Sequence, residues 1–306
     1  MSSITLKKII EYYKKPNIFI SKLLQKTFFF LPDKLFLSIL YKLRFYKKLN
    51  WETPKTFNEK LQWLKLFDRR PLYTSFVDKY KVREYIAKTI GEEFLIPLLG
   101  VWNNPDEIDF DKLPNQFVLK CNHNSGGICI CKSKSEFDIK KAKNNLRKWM
   151  NSNFWFQQRE YPYKNIHKKI IAEKFMEDFE TRELKDYKFF CFDGIAKAMY
   201  IASDRQKVNE ETKFDFFDMY FNSLNITNGH PNSSVLPKKP KNFELMKELA
   251  EKLSKGIPQI RIDFYEINGK VYFGEMTLFH LAGFMPFKPN KWDYIFGSWI
   301  KLPRCK

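Results

Sequence analysis

The chain has 306 residues, 44% of them hydrophobic and 17% aromatic, and a formal net charge of +19 from 54 Lys+Arg against 35 Asp+Glu. That much apolar material excludes a disordered chain, and 11 Gly with 15 Pro exclude a low-complexity or collagen-like one. The length predicts about two domains or one domain with lobes, and the charge predicts an anionic partner: nucleic acid, a membrane, nucleotides or an acidic polymer.

Residues 1–50 hold 11 Lys/Arg and two Asp/Glu. Their apolar stretch is broken by Lys22, Lys26, Pro32, Asp33 and Lys34, too often for a span of ~20 apolar residues, and no small-residue cleavage site follows. The pattern predicts short amphipathic helices with Phe28, Phe29, Phe30, Leu35, Phe36, Ile39, Leu40, Leu43 and Phe45 beside the cations. Such a surface suits either an anionic membrane leaflet or packing on the rest of the chain. No helix-turn-helix, zinc-finger or RNA-recognition motif directs it to nucleic acid.

Trp51–Lys55 reads as a linker, and Phe57–Phe67 as a helix with Thr56 and Asn58 as candidate caps. A second helix is expected over Phe76–Thr89, an extended segment over 95–103 and a turn-rich connector over 105–114. Phe117–Cys121 and Ile128–Lys132 read as strands joined by the polar glycine loop Asn122–Gly127. A basic helix is expected over 135–152 and a strand over Ile170–Phe175. Two hairpins turn at Asp193-Gly194 and Asn268-Gly269, with a helix over Asn242–Leu253 between them, and a turn-rich aromatic stretch covers 281–303. Cys121, Cys129 and Cys131 lack zinc-site spacing and read as reduced thiols.

Two stretches carry chemistry. In FVLKCNHNSGG (117–127), Lys120 precedes a loop whose glycines let backbone N–H groups approach phosphate oxygens; a plain hairpin turn is the competing reading. The order GxxxxGK[ST] is absent. In IRIDFYEINGKVYFGEMT (260–277), the two-residue period puts Arg261, Asp263 and Tyr265 on one face, and likewise Phe273, Glu275 and Thr277. Two carboxylates there suit Mg²⁺ with phosphate, a salt bridge to Arg261, or a glycosidase-like acid pair.

The order of these parts resembles the ATP-grasp superfamily, and more narrowly the TupA-like ATP-grasp proteins of the teichuronopeptide-biosynthesis type. The resemblance runs from about Trp51 to Pro303. It rests on KTFNEKLQWLKL (55–66), DKYKVREYI (78–86), FVLKCNHNSGG, AEKFM (172–176), DYKFFCFDG (186–194) and RIDFY…YFGEMT. It implies an α+β fold of two lobes whose antiparallel sheets clasp ATP. Residues 1–50 are then the basic helical segment, 51–115 a helical region before the grasp, 116–200 the small lobe, and 201–306 the large lobe with a metal-binding hairpin.

The resemblance also implies roles. Lys79 and Lys120 match the ATP-phosphate lysines, and Ser125, Gly126 and Gly127 the loop over the β- and γ-phosphates. Glu173, Lys174, Phe175 and Met176 match the adenine hinge, Asp186 a ribose contact and Lys188 a group near the phosphates. Arg261 matches the arginine that steadies an acyl phosphate. Asp263, Glu275 and Thr277 match the Mg²⁺ ligands, with Thr277 standing where relatives commonly have Asn. The implied activity is a carboxylate–amine ligase acting through an acyl phosphate in cell-surface polysaccharide synthesis. Its substrates would be a carboxylate-bearing sugar or amino acid and an amine, and its place the cytoplasm, peripheral on the inner membrane face. The alternative is a glycosyltransferase of the same pathway using a sugar nucleotide, but Asp215 and Asp218 in FDFFD miss the DxD spacing it would need.

Overall fold

The computed structural model describes residues 16–28, 30–180, 183–204 and 210–304. Residues 1–15 and Phe29 of the basic segment lie outside them. The rest of that segment forms α1 (Pro16–Thr27) and α2 (Asp33–Phe45). α2 buries Phe36, Leu37, Leu40 and Tyr41 in one cluster with Ala282 and Phe284, so it is part of the body of the molecule. Arg159, itself fully buried, fastens the pair. Its Nη2 donates to the carbonyls of Phe28 and Leu31 at 3.3 Å, and its guanidinium lies over the Phe36 ring and pairs with Asp33.

α3 (Phe57–Phe67) has the expected bounds. Thr56 Oγ1 accepts from the Glu59 N–H while Glu59 accepts from the Thr56 N–H, a reciprocal cap that satisfies two orphan donors. Asn58 does not cap; it donates to Asp293 and to the Met285 carbonyl. The single helix expected over 76–89 is two, α4 (Leu72–Val77) and α5 (Val82–Thr89). Asp78 divides them: its Oδ1 accepts from the N–H groups of Tyr80 and Lys81, a local bond that competes with helix continuation. Lys79 therefore sits in a turn.

A four-stranded antiparallel sheet combines β1 (Leu98–Trp102), β2 (Phe117–Cys121), β3 (Ile128–Cys131) and β4 (Ile170–Lys174) in the order β1-β4-β2-β3. α6 (Ile139–Met150) covers it with Ala142 and Leu146, over a small core that includes Cys121, Cys129 and Cys131. α6 is shorter than expected because Asp138 caps it, accepting from the Lys141 N–H at 2.8 Å. The single-turn α7 (Trp155–Gln158) follows.

The larger antiparallel sheet holds β5 (Asp186–Phe192), β6 (Ile195–Ser203), β7 (Lys213–Phe217), β8 (Ser223–Leu224), β9 (Ile260–Ile267) and β10 (Lys270–Thr277), in the order β10-β9-β5-β6-β7-β8. Both expected hairpin turns have positive φ at each central residue, at Asp193 and Gly194 and at Asn268 and Gly269. The two sheets therefore divide between Lys174 and Asp186, ahead of the expected boundary at 200, and β1 joins the small sheet from before 116. α8 (Phe243–Ser254) buries Phe243, Met246 and Leu249 on one face of the large sheet. α3 and α9 (Lys291–Trp299) cover the other, where Phe57 meets Phe190, Phe287 and Phe296 edge to face. α9 replaces part of the turn-rich stretch expected at 281–303.

Candidate active site

The glycine loop and the Lys79 turn are built together. Asn122 Nδ2 donates to Asp78 Oδ1 at 2.9 Å and to the His167 carbonyl at 3.0 Å, while its Oδ1 accepts from the Lys169 N–H. The Lys79 N–H donates to the Asn122 carbonyl. Lys79 Nζ then donates to the Asn124 carbonyl at 2.6 Å and lies 3.5 Å from Glu275 Oε1, so one lysine joins the loop to the far sheet. Gly126 holds φ +85° with open space where a Cβ would stand, as a loop approached by a ligand requires. Gly127 instead packs on the Asn124 side chain.

Lys120 on β2 reaches Glu173 on β4 at 2.5 Å, and Arg83 of α5 approaches the other Glu173 oxygen at 3.4 Å. Both oxygens of Glu173, expected at an adenine edge, are thus engaged by cations. Arg83 was not singled out from the sequence; its signal was its place four residues after Lys79 in DKYKVREYI. Burial lowers its pKa, and the Glu173 charge opposes that.

The β9–β10 register pairs Asp263 with Glu275 and Arg261 with Thr277, bringing these four onto one face as expected. A bulge at Gly274 breaks the period: Phe273 pairs with Phe264, not on the Asp263 face. A Cβ at Gly274 would lie 3.1 Å from the Asp263 carbonyl oxygen, which favours glycine at the bulge. Asp263 is fully buried and receives Arg261 Nε and Nη2 at 2.7 and 2.8 Å together with Lys188 Nζ. Lys188 also donates to Asp186 at 2.9 Å. Burial raises the Asp263 pKa, but Arg261 and Lys188 outweigh it and hold the carboxyl below its ordinary value. For Lys188 and Arg261 the balance runs the other way: burial opposes their charge, the carboxylates win, and both titrate higher than usual.

Asp263 therefore faces two cations, with Glu275 paired opposite it on β10. Thr277 Oγ1 accepts from Arg261 Nη2 at 3.0 Å. Among the described residues no group of three or more His, Cys, Asp and Glu is arranged to hold a metal. His280 completes the network. Arg261 Nη1 can only donate, so His280 Nδ1 accepts at 2.8 Å and Nε2–H donates to Asn228 Oδ1 at 2.8 Å.

Three adjoining cavities open here, the first two between the sheets and the third between the large sheet and the helices beside it. The first, about 180 Å³, is lined by Lys79, Arg83, Lys120, Ser125, Gly126 and Glu173 on one side and by Asp186, Lys188 and Glu275 on the other. The second, about 250 Å³, shares Lys120 and Glu173 with it and is otherwise mostly apolar: Ile96, Val118, Ile130, Phe175, Met176 and Leu184, with Lys174. The third, about 340 Å³, meets the first at Ser125 and Glu275 and also takes in Arg261 and Thr277. Gly127 and Asp263 line none of the three.

The TupA-like ATP-grasp family model matches residues 59–301. The chain belongs to the TupA-like ATP-grasp family. No curated protein matches it. Solved structures similar to this TupA-like ATP-grasp chain include the D-alanine–D-alanine ligase of Helicobacter pylori, 16% identical over 80% of this chain and 69% of that one, with a TM-score of 0.44. The ATP complex of the Bacillus anthracis D-alanine–D-alanine ligase is 16% identical over 67% of this chain and 55% of that one, at 0.40. The N5-carboxyaminoimidazole synthetase of Staphylococcus aureus is 12% identical over 75% and 53%, also at 0.40. The chain thus spans about half the length of the latter two. In this TupA-like ATP-grasp chain the match begins inside α3, so α1 and α2 precede it.

Proposed function

We propose that the protein is an ATP- and Mg²⁺-dependent carboxylate–amine ligase that works through an acyl phosphate. The observation that carries this is the first cavity, where Lys79, Lys120 and Arg83 converge with Glu275 between an apolar chamber and a second polar one. The apolar chamber with Phe175 and Met176 fits a base, and the cations with the open Gly126 backbone fit phosphates. Glu275 is the carboxylate open to Mg²⁺; Asp263 is held by Arg261 and Lys188.

When bound, Mg²⁺ screens charge on the phosphate oxygens. Lys79 and Lys120 supply fixed positive charge where a substrate carboxylate oxygen attacks the γ-phosphorus and ADP leaves with the bridging oxygen, which favours attack of one anion on another. Arg261 spends four of its five N–H groups on Asp263, Thr277 and His280, which leaves one on Nη1 for the third cavity. There it steadies the acyl phosphate oxygen while an amine attacks the acyl carbon and phosphate leaves. Closure of Asn124–Gly127 keeps water from the acyl phosphate.

The family resemblance supports a uronic acid or amino-acid carboxylate of a cell-surface polysaccharide as donor. The test is trapping. Purified protein with Mg-ATP, hydroxylamine and a panel of uronic and amino acids should form a hydroxamate that depends on one carboxylate and on ATP. ATP turnover with no hydroxamate from any carboxylate would contradict the acyl phosphate.

No helix among the described residues is long and apolar enough to cross a membrane. α1, α2 and the turn between them leave Ile20, Leu23, Phe30 and Leu35 exposed, with Lys34 and Lys42 also exposed. That surface supports a peripheral place on an anionic inner leaflet. Co-sedimentation with phosphatidylglycerol vesicles but not with phosphatidylcholine vesicles is the expected result, and equal binding to neither would remove the membrane reading.

A further inference from the structure

The third cavity holds two charges that the scheme above does not use. Arg44 lines it from α2, ahead of the family match. Its Nε is buried with no hydrogen-bond partner, and its guanidinium makes no hydrogen bond or ion pair with a described residue. Burial lowers its pKa with no carboxylate to offset the effect. Glu160 lines the same cavity, is buried, and its carboxylate receives no hydrogen bond from a described residue. Burial raises the Glu160 carboxyl to about 7, which Lys65 only partly opposes. Among the described residues Glu160 is buried near Lys65 but without a hydrogen-bond donor, and Arg44 is half-buried without a partner, so both polar groups are left incomplete unless a ligand supplies what they lack.

The walls that carry them are rigidly held. α2 is anchored by Arg159 and by Trp51 Nε1–H donating to Ser38 Oγ at 2.9 Å. On another wall Leu281 and Ala282, neither of them glycine, adopt φ 45° and 52°. Lys65 and Gln62 both donate to the Ala282 carbonyl and pin that strained turn. Strain so over-determined is typical of a ligand clamp.

We infer that Arg44 and Glu160 form a receptor for a zwitterion, so that the amine substrate is an amino acid whose carboxylate Arg44 holds and whose ammonium Glu160 holds. This rests on the ligase reading, which supplies the need for an amine. It makes the N-terminal helix pair a determinant of substrate choice.

The test is thermal shift and calorimetry on the full chain with a panel of L- and D-amino acids, their amides, the matching decarboxylated amines and uronic acids, each with and without Mg-ATP. At least one amino acid should bind, and its amide and its amine should bind at least about tenfold more weakly, as loss of a charge-assisted bidentate pair implies. Arg44→Gln should lose the amino acid to a similar degree, Arg44→Lys should lose less, and Glu160→Gln should lose preference for the amino acid over the uronic acid. Ligand-free Arg44→Gln should melt no lower than wild type, since no protein partner is lost; a purely structural arginine would lower the melting temperature. The inference falls if no amino acid binds, if the decarboxylated amine binds equally well, or if Arg44→Gln binds as wild type does. The Mg-ATP response is scored separately: its loss in wild type overturns the ligase reading, whereas its retention without amino-acid binding overturns only the receptor.

Discussion

At the scale of single residues, His280 decides how Arg261 points. It is neutral, because burial first, and then the charges of Arg261 and Lys188, hold its pKa well below the ordinary value. In the unfolded chain a histidine takes up a proton below about pH 6.5, and the folded site does not. The stability that this residue contributes is therefore complete above that pH and is lost as the pH falls, with a slope of up to about 1.4 kcal/mol per pH unit. His123, pushed down to about 4 chiefly by burial, behaves in the same way. Glu160 and Asp293 have raised pKa values, also mainly through burial, and oppose this trend. The variant difference isolates the effect: the stability cost of His280→Gln should shrink between about pH 7 and about pH 5. Chemical denaturation at several pH values measures it, and a cost independent of pH would contradict the neutral His280. The sequence made Lys120, Arg261, Asp263 and Glu275 legible because strand alternation places side chains on known faces. It offered the Arg261 salt bridge to Asp263 only as one of three readings, and it could not show that Lys188 would join that bridge, or that His280, Asn228 and Arg83 would join the site. The Lys188, Asn228 and Arg83 contacts are made between segments distant in the chain.

At the scale of elements, what could be read was local chemistry. The Asp-Gly and Asn-Gly turns set two hairpins, and Thr56, one of the two candidate caps, set the start of α3. What escaped was structure that local rules conceal. Asp78 split a helix by bonding its own backbone. Asp215 hid β7, because a carboxylate inside a strand reads as a loop until Ser233 is seen donating to it through N–H and Oγ. α9 was obscured by aromatics on several sides, Trp292, Phe296 and Trp299. Its docking on α3 depends on Gly297, where an added Cβ would lie 2.3 Å from the Lys55 carbonyl oxygen and 2.7 Å from the Phe57 nitrogen. Backbone cannot yield cheaply there, so Gly297→Ala should cost roughly 3 kcal/mol, the upper end for overpacking. Urea denaturation measures it, and a cost within about 0.5 kcal/mol, that of an ordinary surface change, would show that α9 is not seated so closely.

At the scale of the whole molecule, the two sheets matter for what they bring face to face. The small sheet contributes Lys120, Glu173 and the glycine loop; the large sheet contributes Asp186, Lys188, Arg261 and Glu275; the α4–α5 turn contributes Lys79 between them. The net charge of +19 pointed to an anionic partner without naming it, and the ordered motifs narrowed that to a nucleotide. The measurement that tests this most directly is the stabilisation of the folded chain by ATP, with and without Mg²⁺, in wild type, Lys120→Ala and Glu275→Ala. A ligand at ~100 times its Kd adds about 2.7 kcal/mol, a clear rise in melting temperature. Wild type should show that rise, Lys120→Ala should lose it under both conditions, and Glu275→Ala should lose the Mg²⁺-dependent part. A wild type that ATP does not stabilise but a sugar nucleotide does, or three proteins that respond alike, would contradict a nucleotide site at this cleft.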